Sequence, residues 1–341
     1  MASFSDFYNI YKSTVNTSDS YQGDNQMSAV YETDRTNKIN KQKNRPVTHV
    51  TVSAAQVLKP VKSARMVVVI PLYKDSFTAF EKRNLTNTFR LLGDRYDICV
   101  LCPRLLSGDF VEKTFGFTPM YCREGSIYFS GKNSYSRLME RAELYDRFSQ
   151  WDYMLLVQAD VWLFNNTPYK IEDYLSKEAV YMGALWNPDY SKTIGMEGVT
   201  CGNGGLSLRN NRRLAQLLRN STFRNERLRS VEDQYITYML YHDGLMTKEE
   251  DAFGFSIDNF PEYWLERLGG DMPFGVHMSK PEWKNLWSPY VSSDMEVAGI
   301  ADEYVDDLPK DSRDDFSEHP DIVVSMTSFG DRLRNDAPVV I

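Results

Sequence analysis

The chain has 341 residues, 42% of them hydrophobic and 13% aromatic, enough for two domains or for one large α/β domain with extensions. A formal net charge of −8 leaves no pervasive phosphate-binding surface and so excludes nucleic acid as the expected partner. The N-terminus MASFSDFYNIYK has no apolar h-region and no stretch reaches about 18 apolar residues, so neither a signal peptide nor a membrane span is expected.

Residues 1–64 are rich in Ser, Thr, Asn, Gln and Asp, with a small basic cluster at Lys38, Lys41, Lys43 and Arg45. This composition predicts a polar, largely flexible arm that the chemistry does not need. Order begins at Arg65. The β-branched run 66–70 (MVVVI) predicts a buried strand ended by Pro71. Phe77, Phe80, Leu85, Phe89 and Leu92 recur at helical spacing up to Gly93, and residues 98–101 predict a second strand closed by Pro103. Strand, helix, strand implies a parallel crossover. Neither G-x-G-x-x-G nor G-x-x-x-x-G-K-[ST] follows the first strand, so dinucleotide and P-loop readings fall away. Of the four cysteines, Cys99 and Cys102 form a Cys-x-x-Cys pair without the second pair that zinc would need. Free thiols in a reducing compartment are expected.

Residues 120–122 read as a short third strand. Tyr135, Leu138, Met139, Ala142, Leu144, Tyr145 and Phe148 form one helical stripe leading into residues 153–164, YMLLVQADVWLF. Here an unbroken apolar run, 154–157, reads as a strand buried on both faces. It stops at Gln158, Ala159 and Asp160 before turning apolar again. A carboxylate at the C-terminal end of a buried strand is either a solvated loop residue or one that is paired or holds a metal. In open α/β sheets that end is where ligands bind. Residues 171–175 predict a short helix, 179–185 (AVYMGAL) a strand with Trp186 at its end, and 187–201 a loop. In CGNGGLSLRN, residues 201–210, three glycines and Asn203 imply positive φ or close backbone approach, which a plain hairpin also explains. A helix follows over 212–218. Ser230 and Asp233 read as a capping box opening a helix over 230–241. Glu232 and Asp233 then sit in its first turn, where they either complement the helix dipole or do chemistry, with the Asp233 pKa lowered. Residues 253–257 read as a strand, and His277 in FGVHMSKPEWKNLW as a structural histidine or a ligand. From 291 to 320 the chain is acidic and reads as a linker. The strand-like DIVVS at 321–325 reads as the start of a second, truncated domain.

The ordered set YSRLMERAELYDRFSQWDYMLLVQADVWLF, YMGALW, GNGGLSLR, Glu-Asp and Phe-Gly-x-His resembles bacterial glycosyltransferase-like domains of the GT-A fold over about residues 65–290. The resemblance implies a mainly parallel sheet flanked by helices and transfer of a sugar from a nucleoside-diphosphate sugar. Gln158-Ala159-Asp160 stands where that fold carries Asp-x-Asp. By resemblance, Asp160 and His277 are the protein ligands of Mn²⁺ or Mg²⁺. Pro71, Tyr73, Tyr135, Gln158 and Asp160 bind donor and nucleotide, and Trp186, Asn203, Gly204, Gly205 and Arg209 line a donor or acceptor loop. Glu232-Asp233 looks like the x-Glu-Asp motif of inverting members, with Asp233 as base. The acceptor is a glycan or lipid-linked glycan. The setting is cytoplasmic or peripheral at the inner face of the membrane, alongside other glycosyltransferase domains.

The chemistry is consistent with that assignment. A leaving nucleoside diphosphate develops negative charge that a divalent ion neutralises, and inversion needs a base for the acceptor hydroxyl. Gln158 also admits a non-catalytic carbohydrate-binding or scaffolding domain. A sugar nucleotidyltransferase would carry a Gly-rich, basic loop where this chain reads PLYKDSF.

Overall fold

In the computed structural model the described residues are 65–106, 108–193, 197–223 and 231–300. The N-terminal arm, the linker beyond residue 300 and the start of a second domain lie outside them.

The strands β1 (Met66–Pro71), β2 (Asp97–Pro103), β3 (Met120–Glu124) and β4 (Tyr153–Val157) lie parallel in the order β3-β2-β1-β4. Beyond β4, the strand β9 (Leu206–Asn210) runs antiparallel and pairs with β6 (Tyr181–Met182). Among the described residues two smaller sheets accompany this six-stranded one. β5 (Val161–Leu163), β10 (Ser256–Ile257) and β11 (Gly275–His277) form one, and β7 (Ala184–Leu185) and β8 (Cys201–Gly202) the other. The mainly parallel sheet expected from sequence is present.

Alternation along β1 shows why the sheet is covered twice. Val68 and Ile70 pack with Phe80, Leu85 and Phe89, whereas Val67 and Val69 pack with Leu138, Tyr145 and Leu214. Both faces are apolar, so helices must lie on each. α1 (Ala79–Leu92) covers the first face. It starts at a capping box in which Thr78 accepts from the Glu81 amide and Glu81 accepts from the Thr78 amide. After the short α2 (Phe110–Phe115), the second face is covered by α3 (Lys132–Met139) and α4 (Ala142–Arg147). The single helical stripe predicted over 135–148 is therefore two helices. Arg141 is extended between them, and the Tyr145 hydroxyl donates to the Met139 carbonyl at the break, 2.7 Å away.

The helix α5 (Ile171–Leu175) falls where expected. The strand predicted over 179–185 is split at Gly183, where a Cβ would lie 2.1 Å from the Gly202 carbonyl oxygen. The loop predicted over 187–201 contains α6 (Pro188–Thr193). Asn187 starts it by accepting from the Asp189 amide, and Pro188 fills its first position. α7 (Asn211–Asn220), α8 (Glu232–His242), α9 (Glu249–Ala252) and α10 (Pro261–Arg267) follow.

α11 (Pro281–Ala298) passes through the domain boundary drawn at residue 290. Its Asp294, 5% exposed, accepts from the Trp162 indole and from the amides of Asn165 and Asn166, so this acidic residue belongs to the core and not to a linker. The four cysteines form no disulfide. Among the described residues no helix is long and apolar enough to cross a membrane.

Candidate active site

Because β1 and β4 are parallel, their C-terminal ends share one edge of the sheet. There the chain leaves β4 through residues 158–160 and enters β5 in a different sheet. Two backbone hydrogen bonds and one from a side chain hold this turn. The Gln158 amide donates to the Gly205 carbonyl (2.9 Å), the Met278 amide to the Asp160 carbonyl (2.9 Å), and the Asn84 side chain to the Ala159 carbonyl (3.1 Å).

Antiparallel pairing of β5 with β11 puts His277 opposite Val161, one residue from Asp160. His277 Nε2 lies 3.3 Å from Asp160 Oδ1, and Nδ1 lies 3.0 Å from Asp258 Oδ1. The imidazole is buried, which lowers its pKa, but Asp160 and Asp258 outweigh burial and hold it well above the ordinary histidine value. Asp160, 30% exposed at its side chain, is raised by burial but lowered more by His277, and ends below the ordinary value.

The donor set fits a divalent cation. Nε2 is buried and faces Asp160 Oδ1 at 3.3 Å without a well-formed hydrogen bond, while Asp258 holds Nδ1 and fixes the ring's orientation. A neutral imidazole held this way turns its free lone pair toward the Asp160 carboxylate. A proton and a divalent ion compete for that place. Among the described residues no group of three or more His, Cys, Asp and Glu forms a complete ligand cage. As ligands, these two groups would leave coordination positions that phosphate oxygens suit.

The glycine-rich loop lies beside this pair. A Cβ on Gly205 would lie 2.4 Å from His277 Nε2, one on Gly204 2.2 Å from Glu232 Oε1, and one on Gly202 2.1 Å from the Trp186 ring. Of the alternatives left open by the sequence, close approach holds for these glycines, and it is to other side chains of the same protein. The positive φ falls on Asn203, at +78°. Two amides of this loop are engaged within the protein. Gly204 donates to Asp233 Oδ2 (3.2 Å) and Gly205 to Asn203 Oδ1 (2.9 Å).

Arg209, also assigned to ligand contact, is fully buried. It pairs with Glu232 (3.2 Å), donates to the Tyr145 hydroxyl (2.9 Å) and lies over the Tyr181 ring. Trp186 and Asn203 are buried too, and Pro71 is buried within the β1–β2 pairing. All four are therefore buried in the protein interior, not exposed at an open surface. Tyr73, 42% exposed, stands at the open edge beyond β1. The Tyr135 hydroxyl faces Gln158, and burial, then the Glu232 charge, raises its pKa.

At the start of α8 Val231 is the N-cap and makes no side-chain cap bond, while Ser230, the predicted cap, lies outside the described residues. Asp233 instead accepts from Gly204 and from the Gln234 amide (2.7 Å). Its pKa is raised to about 7 by burial and then by the Glu232 charge, against the pull of the Gln234 amide and Lys132. The lowering expected from the helix N-terminus is therefore reversed. Asp258 was missed from sequence, although it follows β10 immediately and so carries the same signal as Asp160, a carboxylate at a strand's end.

Residues 123–277 match the family model described as a protein of unknown function, DUF5672. None of the curated proteins matches the chain. Among solved structures the chain is similar to the galactosyltransferase LgtC, crystallised with donor and acceptor sugar analogs, at 12% identity and a TM-score of 0.41, over 72% of this chain and 98% of that one. It is similar to the bifunctional glycosyltransferase WbbM at 10% identity and a TM-score of 0.40, over 85% of this chain and 65% of the other. A third likeness is to the core-mannan synthase CmsA/Ktr4 of Aspergillus fumigatus in its Mn/GDP form, at 9% identity and a TM-score of 0.34, over 60% of this chain and 72% of the other.

Proposed function

We propose that the chain is a metal-assisted, inverting glycosyltransferase that moves a sugar from a nucleoside-diphosphate sugar to a hydroxyl of a glycan or lipid-linked glycan. The observation that carries this reading is the convergence of Asp160 and His277 Nε2 at 3.3 Å, on the C-terminal edge of the sheet, from positions 117 residues apart. Bound there, Mn²⁺ or Mg²⁺ would neutralise the charge that develops on the leaving diphosphate. Asp258 holds the His277 ring for that purpose. Asp233, anchored by the Gly204 amide, takes the acceptor hydroxyl proton, and a pKa near 7 lets it accept that proton and release it again. Glu232 is committed to Arg209 and serves as a support.

Hydrolysis of a panel of nucleotide sugars, with Mn²⁺ and with EDTA, tests the reading. Metal-dependent hydrolysis of one donor is expected. Asp160→Ala should abolish metal-dependent donor binding by calorimetry while the fold is kept. Unchanged donor affinity in that variant, with Mn²⁺ present, overturns the assignment. Glycan binding with no hydrolysis of any donor would make the domain a carbohydrate-binding module instead.

A further inference from the structure

Arg83 on α1 is 6% exposed, yet among the described residues no carboxylate forms an ion pair with it. Its Nε is buried without a hydrogen bond, and the guanidinium lies near two aromatic rings, 5.2 Å from the Phe80 centroid and 5.7 Å from that of Trp162. Removing a guanidinium from water costs far more than two such ring contacts return. An unpaired charge at this depth calls for an anion. A second cation stands by. Lys284, in the first turns of α11, lies 4.7 Å from the centroid of the same Phe80 ring, and no carboxylate forms an ion pair with it among the described residues. The start of α11 adds the positive end of an 18-residue helix. The place is beside the candidate active site: Asn84, next to Arg83, holds the Ala159 carbonyl, and the Lys284 charge reaches Asp160.

We propose that Arg83 and Lys284 form an oxyanion site for a phosphate group, adjacent to Asp160 and His277 but distinct from them. Two unpaired cations match a phosphate dianion better than a carboxylate, and the planar fork of arginine suits phosphate oxygens. The phosphate belongs either to the nucleotide donor or to an acceptor that carries one. Only this choice of source rests on the transferase reading.

The test is titration of the full-length chain with inorganic phosphate in EDTA, followed by calorimetry and by the unfolding midpoint. Saturable binding is expected. Arg83→Met and Lys284→Gln should each weaken it about 10-fold or more, and the exposed Lys248→Gln should leave it unchanged. Arg83→Met places an apolar chain among aromatic rings; should it fail to fold, Lys284→Gln carries the test. Asp160→Ala should keep phosphate binding, which separates this site from the metal pair. Titrating UDP and GDP with Mn²⁺, and glucose 6-phosphate in EDTA, identifies the source. Loss of nucleotide affinity in Arg83→Met assigns the site to the donor. Loss for glucose 6-phosphate alone assigns it to the acceptor. No saturable phosphate binding to the wild type, or wild-type affinity in both variants, overturns the proposal. With donor hydrolysis intact, that outcome would leave the proposed transferase activity standing.

Discussion

Asp233 receives amides from Gly204 and Gln234, while its neighbour Glu232 turns to the fully buried Arg209. Successive helix positions point about 100° apart, which is how two adjacent carboxylates come to do different work. Asp233→Asn keeps the size and can still accept the Gly204 amide, but it cannot take a proton. It should preserve folding and donor binding and cost on the order of 10²-fold or more in transfer rate. Arg209→Met should do the reverse, leaving Glu232 buried and uncompensated at a cost of roughly 3–5 kcal/mol in unfolding free energy. The Asp233 pKa adds a sign that can be checked. A base must be ionised, so the transfer rate should rise with pH through about 7, and Asp233→Asn should remove that rise. Because the folded value lies above the ordinary 3.8, Asp233 contributes stability that is fully present below pH 3.8 and is lost as pH rises through about 7. The unfolding midpoint of Asp233→Asn should therefore fall less between pH 4 and pH 8 than that of the wild type.

At the scale of elements, the glycines of the loop before β9 are spacing devices. Gly205→Ala would set a methyl against the His277 ring. It should cost about 1–3 kcal/mol and displace the ring, so that metal-dependent donor binding weakens in a chain that still folds. Calorimetry alongside denaturant unfolding checks both halves. The same loop shows how far the sequence could be read. Apolar runs made β1, β2 and β4 legible, and the carboxylate ending β4 pointed to Asp160. Composition left positive φ, close backbone approach and a plain hairpin all open for the loop, and what approaches it was out of reach, because Trp186, Glu232 and His277 arrive from other elements. The break between α3 and α4 was hidden for a similar reason. The hydrophobic stripe continues across it, and the freed Met139 carbonyl is satisfied by Tyr145, a residue the stripe itself assigned to the core. Arg209 looked like a loop cation until Glu232, 23 positions on, closed over it.

For the molecule as a whole, α11 is a strap across the second sheet, fastened by Asp294. Asp294→Ala leaves the Trp162 indole and the amides of Asn165 and Asn166 without their acceptor and should lower stability by roughly 3–5 kcal/mol, whereas Asp294→Asn, which keeps an oxygen, should lose less. A chain ending at residue 290 should unfold at lower denaturant than one ending at residue 300. The passage of the chain from β4 into β5 has one more consequence. The three residues between these strands join sheets whose strands otherwise pair separately, and the Gln158–Gly205 and Met278–Asp160 backbone bonds fasten the joint. Anything that grips Asp160 and His277 therefore tightens a seam rather than a single strand. Amide exchange should slow on both sides of it, in Met154–Val157 and in Gly275–Met278 alike, so that the ligand is felt as one cooperative unit spanning two sheets.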